Sequence, residues 1–462
     1  MLDFSLLLGY HSPMSALPKA VNFSVYPNCV FIEYFSHLAK RWIYESLIEN
    51  RFTPDSMFLF KEENGNSSGL VVVPSSVAYL MGVRTLSNNF KSANCSLNLK
   101  EKVSPFYWQR RAIEKIITEK KRNGLIKAPT GSGKTVFSLL LANRLGCPSL
   151  VVVDREVLID QWVDKINEVF ENPRVIVLDR KNVEDILENE YDFAVTTVQF
   201  LNSLMKKDFK KYFDVFDKSN FNMVIYDEAH TTSAAIAFGK SVALFGRFKY
   251  IFGVTATPYI SNFPLHFYTI GSVIIDAEKL GYKNDLKDKL SIEVVKDSFI
   301  DRLKIWNGMD RTLLLAQYQT QLESSEKFRD RFVNLINKKL AEERRVLVVV
   351  SRLETIDYLA KIFPNAKILT SKRKDSLGEN ERLIIATYGV VSKGFDYPAL
   401  DTLITSVLIY GKVSSVQLVG RILRKTSNKK EPQAIFVVDK SMENILDVDI
   451  KKELEFKIDV YS

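Results

Sequence analysis

Eight consecutive residues, Ala128-Pro129-Thr130-Gly131-Ser132-Gly133-Lys134-Thr135, constrain this chain more than any other stretch. They lie between a short apolar run, Gly124 to Ala128, predicted as a strand, and a segment predicted as a helix. A strand that passes through glycines into a helix lets backbone amides curl around an anion, and the helix N-terminus adds positive potential. In that setting the ammonium of Lys134 reaches the outer phosphates of a nucleotide and the hydroxyl of Thr135 ligates a magnesium ion. The general pattern opens on glycine, whereas this chain has Ala128. Thr130, Gly131, Ser132, Gly133, Lys134 and Thr135 are therefore the candidate ligands of a nucleoside triphosphate, and the surrounding fold has to be α/β.

The rest of the chain agrees with that requirement. From about Pro105, short apolar runs alternate with amphipathic segments. Strands are predicted at Gly124–Ala128, Ser149–Asp154, Val175–Leu178, Phe193–Thr197, Met223–Tyr226 and Tyr250–Val254. After Thr257-Pro258 the rhythm gives way to a largely helical stretch, Leu303–Glu343. It resumes at Arg345–Val350, Ala366–Leu369, Leu383–Thr387, Leu403–Thr405 and Ala434–Asp439. Such alternation means parallel βαβ units whose strands are buried on both faces. The first hundred or so residues read differently. Val21–Glu33 is strand-like with a Pro27-Asn28 turn inside it, and Tyr34–Leu47 has helical apolar spacing. Met57–Phe60 and Leu70–Val73, separated by the turn-forming stretch Asn64 to Gly69, read as a hairpin. The expected organisation is a small α+β module at 1–99, then α/β domains at 100–276 and 277–462, with a polar linker around Ser87 to Lys102.

At 462 residues the chain is too long for one core, which fits several domains. The formal net charge of +9 favours a polyanionic partner. Cys29, Cys95 and Cys147 are scattered and odd in number, which argues against a disulfide framework and fits a reducing cytoplasm. Four histidines without a Cys/His cluster argue against a structural zinc site. No apolar run approaches bilayer length, so no membrane partner is expected. The stretch Phe4–Leu8 is short, follows Asp3 and lacks a basic flank, unlike a signal peptide.

Asp227-Glu228-Ala229-His230 follows the apolar run Met223–Tyr226, which places two carboxylates at the carboxyl end of a parallel strand, where ligands bind in such sheets. Asp227 is suited to hold magnesium, and Glu228 to orient and deprotonate an attacking water. Farther on, Gln417-Leu418-Val419-Gly420-Arg421-Ile422-Leu423-Arg424 sets two guanidinium groups one helical turn apart. A guanidinium fork binds two of the oxygens over which a phosphoryl-transfer transition state spreads its charge.

Taken in order, these segments resemble superfamily 2 helicases over roughly 100 to 440. Phe106-Tyr107-Trp108-Gln109-Arg110-Arg111 looks like a Q-type motif, in which the resemblance gives Gln109 the reading of adenine. Val151-Val152-Val153-Asp154-Arg155 with Gln161-Trp162 looks like motif Ia, and Thr196-Thr197-Val198-Gln199 like motif Ib. Thr255-Ala256-Thr257-Pro258 matches motif III. Val346–Ser351 resembles motif IV, Thr387 through Gly394-Phe395-Asp396-Tyr397-Pro398 motif V, and Gln417–Arg424 motif VI.

The resemblance implies two tandem RecA-like domains, ATP and magnesium as cofactors, and a monomer as the working state. It implies catalytic roles for Lys134, Asp227, Glu228, Gln417, Arg421 and Arg424, and nucleotide contact by Asp396. It gives coupling to His230, Thr255 and Thr257, and nucleic-acid contact to Arg155, Thr197 and Thr387. Thr370-Ser371-Lys372-Arg373-Lys374 could touch phosphates, and a solvated basic loop is an equal reading. The Tyr-Trp-Gln-Arg start, the Thr-Thr-Val-Gln segment, the Thr-Ala-Thr-Pro motif and the stretch Gly271 to Tyr282 are similar to DNA-directed members such as XPB and UvsW. The compact plan is most similar to the UvsW-like phage enzymes, which remodel branched DNA. In that reading the N-terminal module grips DNA, with Lys40, Arg41 and Trp42 on its helix, although Trp42 fits a core position equally well. The rival readings are an RNA helicase, a restriction-type translocase subunit and an ATP-switched nucleic-acid binder.

Overall fold

The computed structural model describes residues 21–25, 29–35, 37–49, 59–63, 68–74, 77–78, 81, 90, 96–229, 240–258, 270–301, 311–391, 395, 397–407, 418–424, 426, 429–446, 449–452 and 454–455. The expected Pro27-Asn28 turn, the hairpin tip at 64–67, Cys95, residues 87–89 and 91–94 of the linker, His230, Gly394, Asp396 and Gln417 lie outside the described residues, as does the side chain of Trp42.

The described part of the N-terminal module holds a four-stranded antiparallel sheet and the helix that follows its second strand. Its strands are β1 (Val21–Val25), β2 (Cys29–Tyr34), β3 (Leu59–Glu63) and β4 (Ser68–Pro74), in the order β1-β2-β4-β3, with α1 (His37–Glu49) after β2. The stretch read as one strand is thus an antiparallel pair, Val25 facing Val30.

A seven-stranded sheet follows. Its elements are α2 (Tyr107–Thr118), β5 (Asn123–Lys127), α3 (Lys134–Arg144), β6 (Ser149–Val153), α4 (Val157–Val169), β7 (Val175–Val177), β8 (Phe193–Thr197), α5 (Val198–Lys218), β9 (Met223–Asp227), β10 (Tyr250–Thr255) and β11 (Val273–Asp276). The strand order is β11-β5-β10-β9-β6-β8-β7, and the β10/β9, β9/β6, β6/β8 and β8/β7 pairs are parallel. Every residue of β6 and β8 is buried, which is why both read as unbroken apolar or threonine-rich runs.

The six-stranded sheet is built from α6 (Asp285–Asp288), β12 (Ser291–Asp297), α7 (Arg311–Ser324), α8 (Glu326–Ala341), β13 (Val346–Val350), α9 (Leu353–Ile362), β14 (Lys367–Leu369), β15 (Leu383–Thr387), α10 (Tyr388–Val391), β16 (Thr402–Thr405), β17 (Gln433–Asp439) and α11 (Ser441–Leu446). The order β12-β17-β16-β13-β15-β14 is parallel throughout. The fold is therefore two parallel-sheet α/β domains with a small α+β module ahead of them, as expected. All the strands anticipated from the alternation are present within a residue or two. β11 and β12 are additional.

By its contacts the chain groups into two compact units. One comprises 1–105, 113–126 and 138–274; the other comprises 106–112, 127–137 and 275–462. In the first, the antiparallel sheet shares its core with the large sheet. Phe31 of β2 meets Phe209 and Phe213 of α5 edge-on at 5.1 and 5.0 Å, and Lys210 pairs with Glu33 at 3.1 Å. In the second, β13, β15 and β16 are sheathed by apolar faces of α7, α8 and α9, including Phe328, Phe332 and Leu359. Among the described residues no helix is long and apolar enough to cross a membrane.

Candidate active site

The phosphate loop leaves β5 and enters α3. Gly131 and Gly133 adopt φ of +76° and +83°, a region that L side chains rarely adopt, so the loop can turn its amides inward. Ser132 between them is fully buried, and its Oγ has no hydrogen-bond partner among the described residues. The first turn of α2 braces the loop from behind. Trp108 donates its indole N–H to the Ser132 carbonyl at 3.1 Å and stacks on Phe137 at 5.2 Å. Gln109, fully buried, donates its amide to the Gly133 carbonyl at 3.0 Å and accepts the Phe106 N–H at 2.8 Å. Expected to read adenine, Gln109 thus has its amide on the loop backbone. A Cβ on Gly133 would sit 2.7 Å from the Gln109 amide nitrogen, so the sequence of the loop and that of α2 depend on each other.

The second unit also brings the Gly420–Arg424 segment onto this loop. A Cβ on Gly420 would lie 2.5 Å from Thr130 Oγ1, and the Arg424 side chain lies 3.6 Å from where a Gly131 Cβ would be. Helix at Leu418–Gly420 tightens there. Arg421, Ile422 and Leu423 donate to carbonyls three residues back, at 3.2, 3.0 and 3.3 Å. The backbone leading to Arg424 is thus a 3₁₀ turn and not the α-helical turn expected. Lys429, which the sequence reading missed, donates from Nζ to the Arg424 carbonyl at 2.7 Å and to the Pro398 carbonyl at 3.0 Å. It thus joins motifs VI and V. Burial pushes the Lys429 ammonium down to about 8; Asp401 works against the shift and Arg424 with it.

In the first unit the two carboxylates end β9, whose residues Met223 to Tyr226 are all buried. Asp227 accepts the Glu228 N–H on Oδ1 and the Trp162 indole N–H on Oδ2, both at 2.9 Å. Glu228 turns sharply, with φ of +44°. Such a left-handed residue ends the strand abruptly. Motif III is pinned to this turn. Val254 of β10 faces Asp227 in register, and Ala229 donates to its carbonyl at 3.2 Å. Thr255 and Thr257 are both buried; Thr255 Oγ1 accepts the Thr257 N–H at 3.0 Å, and Thr257 Oγ1 has no partner among the described residues.

The candidate nucleic-acid residues sit at carboxyl ends of strands. Val153 pairs with Thr197 in register, so motifs Ia and Ib leave the sheet side by side, and Gln199 ties them by donating to the Asp154 carbonyl at 2.7 Å. Thr197 caps α5 by accepting the Phe200 N–H at 3.2 Å. Arg155 pairs with the buried Asp154 at 3.1 Å. Thr387 is half-buried at the end of β15, next to Val350 of β13. In the basic run, Arg373 folds back on Asp375 through two bonds of 2.8 and 2.9 Å, and that pairing lowers the Asp375 carboxyl. Arg41 of α1 is likewise paired, with Glu45 at 2.7 Å.

A further group escaped the sequence reading. Glu323, at the end of α7 and fully buried, accepts from Ser351 N and Oγ, Arg352 N, Thr355 Oγ1 and Ser406 Oγ at 2.8 to 3.0 Å. It gathers motif IV, the start of α9 and the segment after β16. Nothing in the sequence around Glu323 marks it, because all its partners are distant.

The donor set fits a nucleoside triphosphate with magnesium. Two left-handed glycines frame a buried serine hydroxyl that lacks a partner among the described residues. No cluster of three or more His, Cys, Asp or Glu able to cage a metal exists among the described residues.

Residues 102–260 match the family model described as type III restriction enzyme, res subunit. The chain is 25% identical over 410 residues to 161L of Invertebrate iridescent virus 6, a protein named as a helicase, covering 82% of this chain and 85% of that one. It is 25% identical over 388 residues to the DNA 3'-5' translocase XPB2 of Sulfurisphaera tokodaii, covering 74% and 83%. L396 of Acanthamoeba polyphaga mimivirus, named as an ATP-dependent RNA helicase, is 25% identical over 349 residues, and the chain spans only 63% of its length. Among solved structures, the ATP-dependent type ISP restriction-modification enzyme LlaBIII bound to DNA matches with a TM-score of 0.53 at 19% identity, over 78% of this chain and 29% of that one. That last likeness speaks to fold alone. Residues 102–260 are thus similar to the res subunit of type III restriction enzymes, and most of the chain is similar to proteins named as helicases or as a DNA translocase.

Proposed function

We propose that this chain is an ATP-hydrolysing motor that moves along nucleic acid, with DNA as its track. One observation carries the reading: in the second unit the loop Thr130–Gly133 lies against Gly420 and the stem of Arg424, so the phosphate cradle meets the turn that carries two arginines. A bound ATP with its magnesium supplies the phosphoryl group and the negative charge that these side chains answer. Lys134 and the loop amides hold the outer phosphates. By the family resemblance, Thr135 and Asp227 would each serve as a ligand of the ion, and Glu228 would take the proton of the attacking water. Arg421 and Arg424 stabilise charge on the transferred group. Thr255 and Thr257, buried beside the carboxylate turn, pass the change of nucleotide state to motifs Ia and Ib. His230, Asp396 and Gln417 keep the roles that the family resemblance implies for them.

The net charge of +9 supports a polyanionic track, and the name of the XPB2 relative supports DNA. Within that reading the enzyme remodels branched DNA in the cytoplasm as a monomer, with domains at 1–99, 100–276 and 277–462, the first gripping the substrate. Contacts through Arg155, Thr197 and Thr387 follow phosphates and do not read bases.

The test is the ATPase rate of the full chain with single-stranded DNA, duplex DNA, a four-way DNA junction and single-stranded RNA. Strongest stimulation by the junction, with branch migration, supports the proposal. Stimulation chiefly by RNA moves the protein among RNA helicases, in line with the name of L396. Lys134→Ala should abolish turnover, and Glu228→Gln should bind ATP without hydrolysing it. Normal turnover by Glu228→Gln would remove Glu228 as the base.

A further inference from the structure

Asp227 is the carboxylate to which the proposed function gives magnesium, and it is held from both sides. Its Oδ1 takes the N–H of its own neighbour, Glu228, and its Oδ2 takes an indole N–H from 65 residues upstream. That donor, Trp162, is 2% exposed and sits on α4 with Ile166 and Val169, four and seven residues on, also buried. The ring is therefore fixed by packing before any ligand arrives. The terminal torsion of a carboxylate is soft and two-fold, so a bond to the second oxygen narrows the orientations that the Glu228 N–H alone allows.

We propose that Trp162 is a positioning residue for the magnesium-binding carboxylate, its indole N–H locking the plane of Asp227 so that the ion meets an already oriented ligand. The proposal rests on the ATP-hydrolysing reading given above. Indole suits the task because it donates and cannot accept or ionise. It orients the carboxylate without cancelling the charge that the ion needs, which a lysine or arginine there would do. α4 leaves directly from the Asp154-Arg155 segment, so the helix that carries Trp162 also begins at a candidate nucleic-acid contact.

The experiment measures binding of a fluorescent ATP analogue to the full chain as magnesium is titrated, for wild type, Trp162→Phe and Trp162→His. Phenylalanine keeps an aromatic ring and loses the N–H. Histidine keeps a five-membered ring in which Nε2 falls where the indole nitrogen was, and at about pH 8 it is neutral. Trp162→Phe should raise the magnesium concentration for half-saturation about fivefold, the scale of one lost hydrogen bond to a charged group partly replaced by water. Its metal-free nucleotide affinity should not change. Trp162→His should return toward wild type. A purely packing role predicts the opposite pattern: both variants lose stability and neither shifts the magnesium dependence. Unaltered half-saturation in Trp162→Phe, or histidine no better than phenylalanine, overturns the proposal.

A second measurement does not depend on the variants folding. The Trp162 indole N–H resonance should sit downfield in wild type and move upfield in Asp227→Ala; an unmoved resonance also overturns it. Wild-type protein that binds no nucleotide, or binds it without regard to magnesium, would instead refute the ATP-hydrolysing reading itself.

Discussion

Replacing Glu323 with alanine should destabilise the second unit by about 4 kcal/mol, although Glu323 lies in no motif. Its carboxylate is fully buried and takes five donors. Two of these are the backbone N–H groups of Ser351 and Arg352 at the start of α9, a helix whose N-cap, Arg352, offers no side-chain cap. Glu323 therefore caps α9 from another helix. Each buried amide left without an acceptor costs about 1–3 kcal/mol, and the cap as such is worth about 1 kcal/mol. The hydroxyls of Ser351, Thr355 and Ser406 can rotate toward other acceptors, so they add little. Two amides at the middle of that range give about 4 kcal/mol. For a unit of this size that lowers the melting temperature by roughly 8–16 °C. Scanning calorimetry is the assay, because a chain of two units can melt in two steps and only the second-unit transition should move. Glu323→Gln, which keeps one acceptor oxygen, should fall between wild type and alanine. A shift below about 2 °C for Glu323→Ala would mean that water reaches these donors, and the capping argument would be wrong.

Three other outcomes follow from the geometry. Because the folded Lys429 ammonium is pushed down to about 8 from an ordinary value of 10.5, the unfolded chain holds more protons between those values, so stability gains from this group as pH rises through that window. Lys429→Met should remove that gain, and a wild-type-minus-mutant difference in melting temperature that stays flat across the window would refute it. Gly133→Ala forces a side chain into a φ of +83° and a Cβ to 2.7 Å from the Gln109 amide, so nucleotide affinity should fall about five- to thirtyfold, from about 1–2 kcal/mol of backbone strain. Equal affinity in a fluorescence titration would show that α2 does not brace the loop. Phe31→Ala opens the core shared by β2 and α5 and should cost about 3–4 kcal/mol, seen as faster proteolytic release of the N-terminal module; an unchanged cleavage rate would mean that the two sheets melt independently.

The local grammar of this protein was open to reading without coordinates. The runs Ser149–Val153 and Val346–Val350 could only be central strands, because every one of their side chains is buried. Glycines before Lys134 and acids after Tyr226 located the phosphate loop and the carboxylate turn, since those chemistries need contiguous residues. β11 and β12 were not legible. Both are the border strands of their sheets, where one edge faces away from the ladder and charges are tolerated. Glu293, Lys296 and Asp297 break the apolar run of β12, and β11 is only four residues long. The motif VI arginines were expected on an α-helix and lie on a tighter turn, a choice of hydrogen-bond partner that side-chain spacing does not distinguish.

What the sequence determined by itself is therefore the order of the α/β elements and the inventory of chemical groups, because periodicity and contiguous motifs are local properties of the chain. What only the tertiary structure decided is which distant groups hold those motifs in place: Trp162 on Asp227, Gln109 on Gly133, Lys429 on Arg424 and Glu323 on Ser351 and Ser406. A hydrogen bond is set by position and direction in space, and residues 65 or 83 positions apart acquire those only when the sheets have formed.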